Sequence, residues 1–355
     1  MPVAIATDDA TAVGRPVDSW RTVADQLAAL VDEGALDLPW PGSGRTRERW
    51  ARLTALAEQD LALARLAEGH VDALAILHEL DVDVRTFAPL STESPDLSSG
   101  AGRPRWGVWA AEPPGTGLTA TAEADGTFRL DGLKAYCSGA RSCTRALVTA
   151  RHGEDRLLLA VDVGQEGITP RRASWPAAGM AASDTLDIDF DQVPAVAVGG
   201  PRAYLDRPGF QHGGIGVAAC WYGGARSVAR TLHTAARSHD VGPHALAHLG
   251  AVCATLAAVN ALLNGAAAQI DADPADRAGR AAPRSKTVRA ATERACADVL
   301  DRVGRALGAG PLGHDADHAR RVADLTVYVR QHHAERDYAA LGQVAADLDW
   351  NEVEW

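Results

Sequence analysis

Between Trp106 and Pro194 the chain breaks into short apolar runs separated by Gly and Pro, while alanine-rich segments of helical period lie on both sides. A chain built this way folds as helices, then strands, then helices. Within the middle stretch, Leu186, Ile188 and Phe190 alternate with Asp187, Asp189 and Asp191, which gives a strand one buried and one wet face. Leu157–Val163 is almost continuously apolar and reads as a central strand. The gaps between strands are too short for helical crossovers, so a barrel or sandwich is expected rather than βαβ units.

The flanking segments follow a different period. Val23, Leu27, Leu30 and Val31, then Trp50, Leu53, Leu56, Ala57 and Leu61, then Val71, Leu74 and Leu77 recur at helical spacing. Residues 88–105, rich in Pro, Ser and Gly, read as a connection, and residues 1–17 as a loose tail. After Pro208 four helices are expected. The first is dense in Gly and Ala and suited to close approach. The second is His244–Ile270, the third is Arg284–Leu307 ended by Gly308, and the fourth is Asp317–Ala340. The fold class expected is α+β: an N-terminal α-helical domain over 1–100, a central β-barrel or sandwich over 101–200, and a C-terminal four-helix bundle over 201–355.

Charge and cysteine content narrow the function. A net charge of −11 argues against a nucleic-acid partner, which needs clustered Lys and Arg. The five cysteines are scattered with no CxxC pair, so a reducing cytoplasm is the simpler setting. No signal peptide is read at the N-terminus. His248, Asn260 and Asn264 interrupt the most apolar helix, which reads as a core helix and not a membrane span. In HDADH at His314–His318 the acids read as helix caps rather than metal ligands.

Four motifs in order resemble the acyl-CoA dehydrogenase superfamily over roughly residues 20–342. AAEPPGTGL at Ala110–Leu118 resembles the turn that opens that family's β-domain. GLKAYCSGA, with Gly132, Lys134, Tyr136, Ser138 and Gly139, resembles its flavin-side strand. DFDQVPAV at Asp189–Val196 resembles its closing strand, and GAGPLG at Gly308–Gly313 resembles the Gly-rich turn of its bundle. The resemblance implies a flavin held between β-domain and bundle, FAD or alternatively FMN, in a homodimer or homotetramer. It implies that Tyr136 flanks the flavin ring and Ser138 donates a hydrogen bond. The turn of Glu112, Gly115, Thr116 and Gly117 would meet the flavin or substrate edge. Arg237 stands in an eroded pyrophosphate-binding segment, and Gly308 and Gly310 in the bundle turn.

The departures concern the reaction. Where the family's usual base Glu stands, this chain has His332, and the family's minority position falls in QHGGIGVAA, which has no carboxylate. A His is a competent base near neutral pH. It is also what flavin-dependent monooxygenases of this fold carry, such as those resembling dibenzothiophene monooxygenase. Read as part of a helix, His332 and His333 point about 100° apart. Glu335 shares a face with His332 and is a second candidate, or else pairs with Arg330 or Arg336. Cys137 reads as core. Arg171 and Arg172 sit in a turn that is solvated or meets an anionic tail. The resemblance thus implies, first, dehydrogenation of an acyl thioester or related substrate with a non-standard base. Second comes oxygenation of a small molecule with reduced flavin from a separate reductase, and third a non-catalytic homologue.

Overall fold

The protein is described here from a computed structural model, which covers residues 19–83 and 102–347. The tail read over 1–17 and most of the connection read over 88–105 lie outside those residues. Three helices come first: α1 (Ser19–Asp32), α2 (Thr46–Gln59) and α3 (Leu61–Glu79). Asp60 separates α2 from α3. Its carboxylate accepts from the amides of Ala62 and Leu63, capping α3 where α2 ends.

Seven strands follow: β1 (Trp106–Trp109), β2 (Gly117–Ala122), β3 (Phe128–Cys137), β4 (Arg145–His152), β5 (Asp155–Asp162), β6 (Ile168–Arg171) and β7 (Leu186–Ala197). Pairing runs β4–β2–β3–β7–β5 and returns from β5 to β4, so the sheet closes into a barrel. β1 adds in parallel to β4, and β6 adds to β7. The apolar run of β5 has a simple cause. Leu157, Leu159 and Val161 point into the barrel, while Leu158 and Ala160 pack outward against Ala73, Ile76 and Leu77 of α3. Both faces are buried, so neither alternates. On β7 the expected alternation is present, with Leu186, Ile188 and Phe190 inside.

The C-terminal part holds α4 (Ala203–Asp206), α5 (Pro208–Ser238), α6 (Gly242–Ala272), α7 (Ala281–Leu307), α8 (Gly310–His314), α9 (Ala316–Tyr328) and α10 (Glu335–Asp347). Helices from both ends of the chain share one core, in which Leu27, Leu53 and Leu61 meet Ala218, Val228, Val299 and Leu325. The Gly-rich face of α5 makes this possible. A Cβ on Gly223 would lie 2.3 Å from the carbonyl oxygen of Thr54, so α2 and α5 touch backbone to backbone.

Two expectations change. The fourth bundle helix is not continuous: α9 stops at Tyr328, one 3₁₀ turn covers Val329–Gln331, His332 is extended, and Ala334 takes φ +47° before α10 begins. Side chains take over the local backbone donors there. His332 Nδ1 accepts from the amide of Ala334, and Asp337 accepts from the amide of His333. The second change concerns α6, read as a core helix. Over its most apolar stretch, mean hydropathy 1.8, only 17% is buried; its length and composition alone are those of a helix able to cross a membrane. Ala245, Val252, Val259, Leu263 and Ile270 form the inner stripe, and Leu246 lies outside at 52% exposure.

His70 fastens α3 to the barrel by accepting from the amide of Trp106 through Nδ1, 3.2 Å. Burial pushes its pKa from 6.5 down to about 4, helped by Arg103 nearby. The folded state therefore binds fewer protons than the unfolded state between those values. The stability that His70 contributes is present above pH 6.5 and is lost as pH falls toward 4. In chemical denaturation, wild type is expected to exceed His70→Asn in stability at pH 7. That difference should narrow by up to about 3 kcal/mol on acidification through this window.

Candidate functional site

At its end β3 slips register between Lys134 and Cys137, and the bulge carries Tyr136 at φ +58°. A left-handed conformation is costly for a bulky side chain and marks a position that its surroundings hold in place. Here the Tyr136 amide donates to Asp187, and the ring stands edge-on to Trp175 at 6.2 Å, with 51% of the residue exposed. An aromatic plane is thus presented outward from the barrel. Cys137 turns inward, into the barrel core, where burial pushes its thiol pKa up.

Ser138 is buried beside Tyr136 and lies in a chain of hydroxyls: Ser138 to Thr185 at 2.9 Å, Thr185 to Ser183 at 2.7 Å, and Ser183 to the carbonyl of Met180 at 2.7 Å. The carbonyl can only accept. Ser183 therefore donates to it, Thr185 donates to Ser183, and Ser138 donates to Thr185. The proton of Ser138 is directed inward, which leaves its oxygen to accept rather than donate as expected.

Glu112 does not face outward from its turn. It accepts from Thr149 at 3.0 Å, pairs with Arg156, and lies 3.7 Å from the buried Lys134 amine. Lys134 donates to the carbonyl and hydroxyl of Thr149, and burial lowers its pKa to about 8, against the pull of Glu112. Glu112 thus answers a buried cation. The rest of the turn, Gly115, Thr116 and Gly117, leads into β2, with Thr116 hydrogen-bonded to the carbonyl of Pro113.

Barrel and helices meet at Met180, whose amide donates to the buried carboxylate of Asp324 on α9 at 2.6 Å. Gly179 packs there so closely that a Cβ would lie 2.3 Å from the carbonyl oxygen of Ala323. From this seam α9 runs on to Tyr328 and then to His332. His332 is 3% exposed and packs edge-on to Tyr338 at 5.2 Å. Since its Nδ1 accepts from the amide of Ala334, the neutral ring carries its proton on Nε2. That Nε2 has no hydrogen-bond partner among the described residues, and Asp337 stands 3.9 Å away. Burial lowers the His332 pKa, partly opposed by Asp337. At neutral pH this is a neutral imidazole whose Nε2–H is free to donate to a ligand.

The other expected residues lie apart. Glu335 is exposed at the start of α10, and Arg330 pairs with Glu293 at 2.8 Å rather than with Glu335. Arg237 is exposed in the last turn of α5. Gly308 ends α7 at φ +65° and Gly310 starts α8. Arg171 is held by Asp189 in a bidentate pair.

A polar cluster that periodicity does not reveal fills the space between α3 and α5. Arg65 and Glu68 pair at 2.8 Å, and burial pushes the Glu68 carboxyl up to about 7, against the pull of Arg65. Arg289 covers the Trp221 ring at 4.6 Å and donates to the carbonyls of Gly214 and Gln331. It thereby couples α5 to the residue preceding His332. The Tyr328 hydroxyl interacts with the Cys220 thiol and, among the described residues, has no oxygen or nitrogen partner; Nε1 of Trp50, Nε1 of Trp221 and Nε of Arg65 are buried and have no hydrogen-bond partner among those residues either. Buried donors of this kind suit a ligand rich in acceptors. The one sequence signal was charge within an apolar helix, at Arg65, Glu68 and Asp72.

No known sequence family and no curated protein sequence matches this chain. Solved structures do. It superposes on TdsC of Paenibacillus sp. A11-2 in complex with FMN and indole, TM-score 0.71, at 17% identity over 92% of this chain and 96% of that one. It also superposes on methanesulfinate monooxygenase MsuC of Pseudomonas fluorescens, TM-score 0.71, at 19% identity over 94% and 97%. A third match is a nitrososynthase of Micromonospora carbonacea var. africana, TM-score 0.70, at 19% identity over 95% and 98%. The chain has the acyl-CoA dehydrogenase-like fold. At these identities the likeness concerns the fold, and within it the side chains above are this chain's own.

The seam at Asp324 yields a direct test. Asp324→Ala leaves the Met180 amide buried without an acceptor, a loss of about 2–3 kcal/mol, whereas Asp324→Asn keeps an acceptor and is expected to lose less. Thermal unfolding of the two variants beside wild type checks the order.

Proposed function

We propose that this chain is a flavin-dependent monooxygenase that binds FMN, receives it reduced from a separate flavin reductase, and oxidises a small molecule with O2. The observation that supports this best is the state of His332. A base that removes a proton from an acyl thioester needs a free lone pair, and in His332 the Nδ1 lone pair is taken while Nε2 carries hydrogen. Glu335 is exposed on α10 and offers no substitute. A buried, neutral N–H donor fits oxygen chemistry, where it stabilises negative charge developing on oxygen.

The residues present suit a flavin ring. Tyr136, held outward by its bulge and by Trp175, offers an aromatic face, and Ser138 offers an acceptor for a ring N–H. When bound and reduced, the flavin supplies the two electrons with which one atom of O2 becomes water and the other enters the substrate. The FMN and indole in the TdsC complex agree with a site for this cofactor and a small substrate. The protein's own part is then to orient the ring through Tyr136 and Ser138, to donate from His332 Nε2, and to bind substrate acceptors with the unpartnered donors near Tyr328. Dehydrogenation stays as a second reading on one observation: Glu68, with a carboxyl pKa near 7, has the acidity of a general base.

Two assays separate these readings. With supplied reduced FMN, product formation should require O2, and an acyl-CoA added anaerobically should not bleach the oxidised flavin. His332→Ala should lower oxygenation by about 10²-fold while FMN affinity, read by fluorescence quenching, stays within about twofold. Bleaching by the thioester that is lost in Glu68→Gln would favour dehydrogenation instead.

The outward apolar face of α6 supports self-association into a homo-oligomer, because one protomer leaves it largely uncovered. Light scattering should find an assembly larger than a monomer, and Leu246→Asp, a charge set in that face, should shift it toward smaller species.

A further inference from the structure

Away from the barrel, the loop between α1 and α2 lines an open cavity of about 570 Å³, together with Arg49, Arg52 and Arg103; Trp40 and Arg45 are among the loop residues. Charge is unevenly matched there. Arg45 is paired with Glu48, and Arg103 holds Asp37 through two hydrogen bonds. Arg52 has no ion pair among the described residues. Arg49 is 4% exposed and has none either; its guanidinium donates only to the carbonyls of Pro39 and Val71. Four guanidinium groups thus face two carboxylates in a chain whose net charge is −11. Arg49 makes its hydrogen bonds to neutral carbonyls alone, with Asp72 and Glu68 attracting it from further off, so a counter-charge in the cavity would offset part of its burial cost. Trp40, stacked on His78 at 4.6 Å, supplies a rigid aromatic wall.

We propose that this cavity is a binding site for a phosphate-type oxyanion, held by Arg49 at its base and by Arg52 and Arg45 at its rim. Planar guanidinium forks suit an anion whose oxygens can each take charge-assisted bonds from several directions. The base of the site also touches the polar interior. Arg49 lies within electrostatic reach of Asp72 and Glu68, so an anion here sits on the outer side of the group that holds Glu68. The site does not depend on the oxygenase reading.

Isothermal titration of the full chain tests this without flavin or turnover, so its failure is separate from failure of that reading. Three probes, inorganic phosphate, pyrophosphate and ADP, are titrated at matched ionic strength. At least one should bind saturably, and its affinity should fall at least about tenfold in Arg52→Glu and in Arg45→Glu, while Arg52→Lys keeps most of it. Both arginines are exposed, and circular dichroism confirms that the variants fold. ADP binding more tightly than pyrophosphate assigns the site to a phosphate carried on an organic body, and equal or weaker ADP binding assigns it to the free anion. No saturable binding by any probe, or Arg52→Glu and Arg45→Glu binding as tightly as wild type, overturns the proposal.

Discussion

The hydrogen bond from the Met180 amide to the Asp324 carboxylate joins the barrel to the helices, and the arrangement of the candidate site depends on it. It is short, buried and charge-assisted, which makes it one of the stronger contacts a backbone amide can form. Gly179 lets the backbone of the barrel loop reach the Ala323 carbonyl. Trp175 extends the same loop toward Tyr136 by donating to the Gly179 carbonyl. The aromatic face at the end of β3 and the segment that carries Tyr328 and His332 are therefore positioned by one junction.

On the helical side, chemistry follows from how the backbone breaks. Between Tyr328 and Glu335 the chain leaves the helix, and the freed amides are taken by side chains, Ala334 by His332 and His333 by Asp337. This turns His332 from a helical residue with a free choice of proton into a neutral ring whose hydrogen sits on Nε2. A similar exchange governs the barrel. Glu112 stands in the expected motif, but a buried Lys134 needs a counter-charge, and the carboxylate meets that need instead of facing outward.

Much of the architecture was legible because its cause is local. The alternation of Leu186, Ile188 and Phe190 follows from one buried face, the unbroken apolar run of β5 from two, and the break at Gly308 from its left-handed turn. Tyr136 and Ser138 were singled out through a motif rather than a period. Arg65 and Glu68 pair within one face of α3, but Tyr328 lies on α9, and only packing of α3, α5 and α9 buries that pair and brings Tyr328 to it. The exposure of α6 was misread for a related reason: an apolar helix looks the same whether its own chain or another molecule covers it.

By itself, then, the sequence determined the element types, their order and a β-region between helices, since periodicity and turn residues act over a few positions, while its closure into a barrel rests on pairing between distant strands. Tertiary structure decided which way Glu112 turns, which nitrogen of His332 holds its proton, and which carboxylate is driven toward neutrality. Each of those depends on desolvation and on partners far apart in the chain: burial of Lys134 for Glu112, the seam and the helix break for His332, and the enclosure of Glu68 with Arg65.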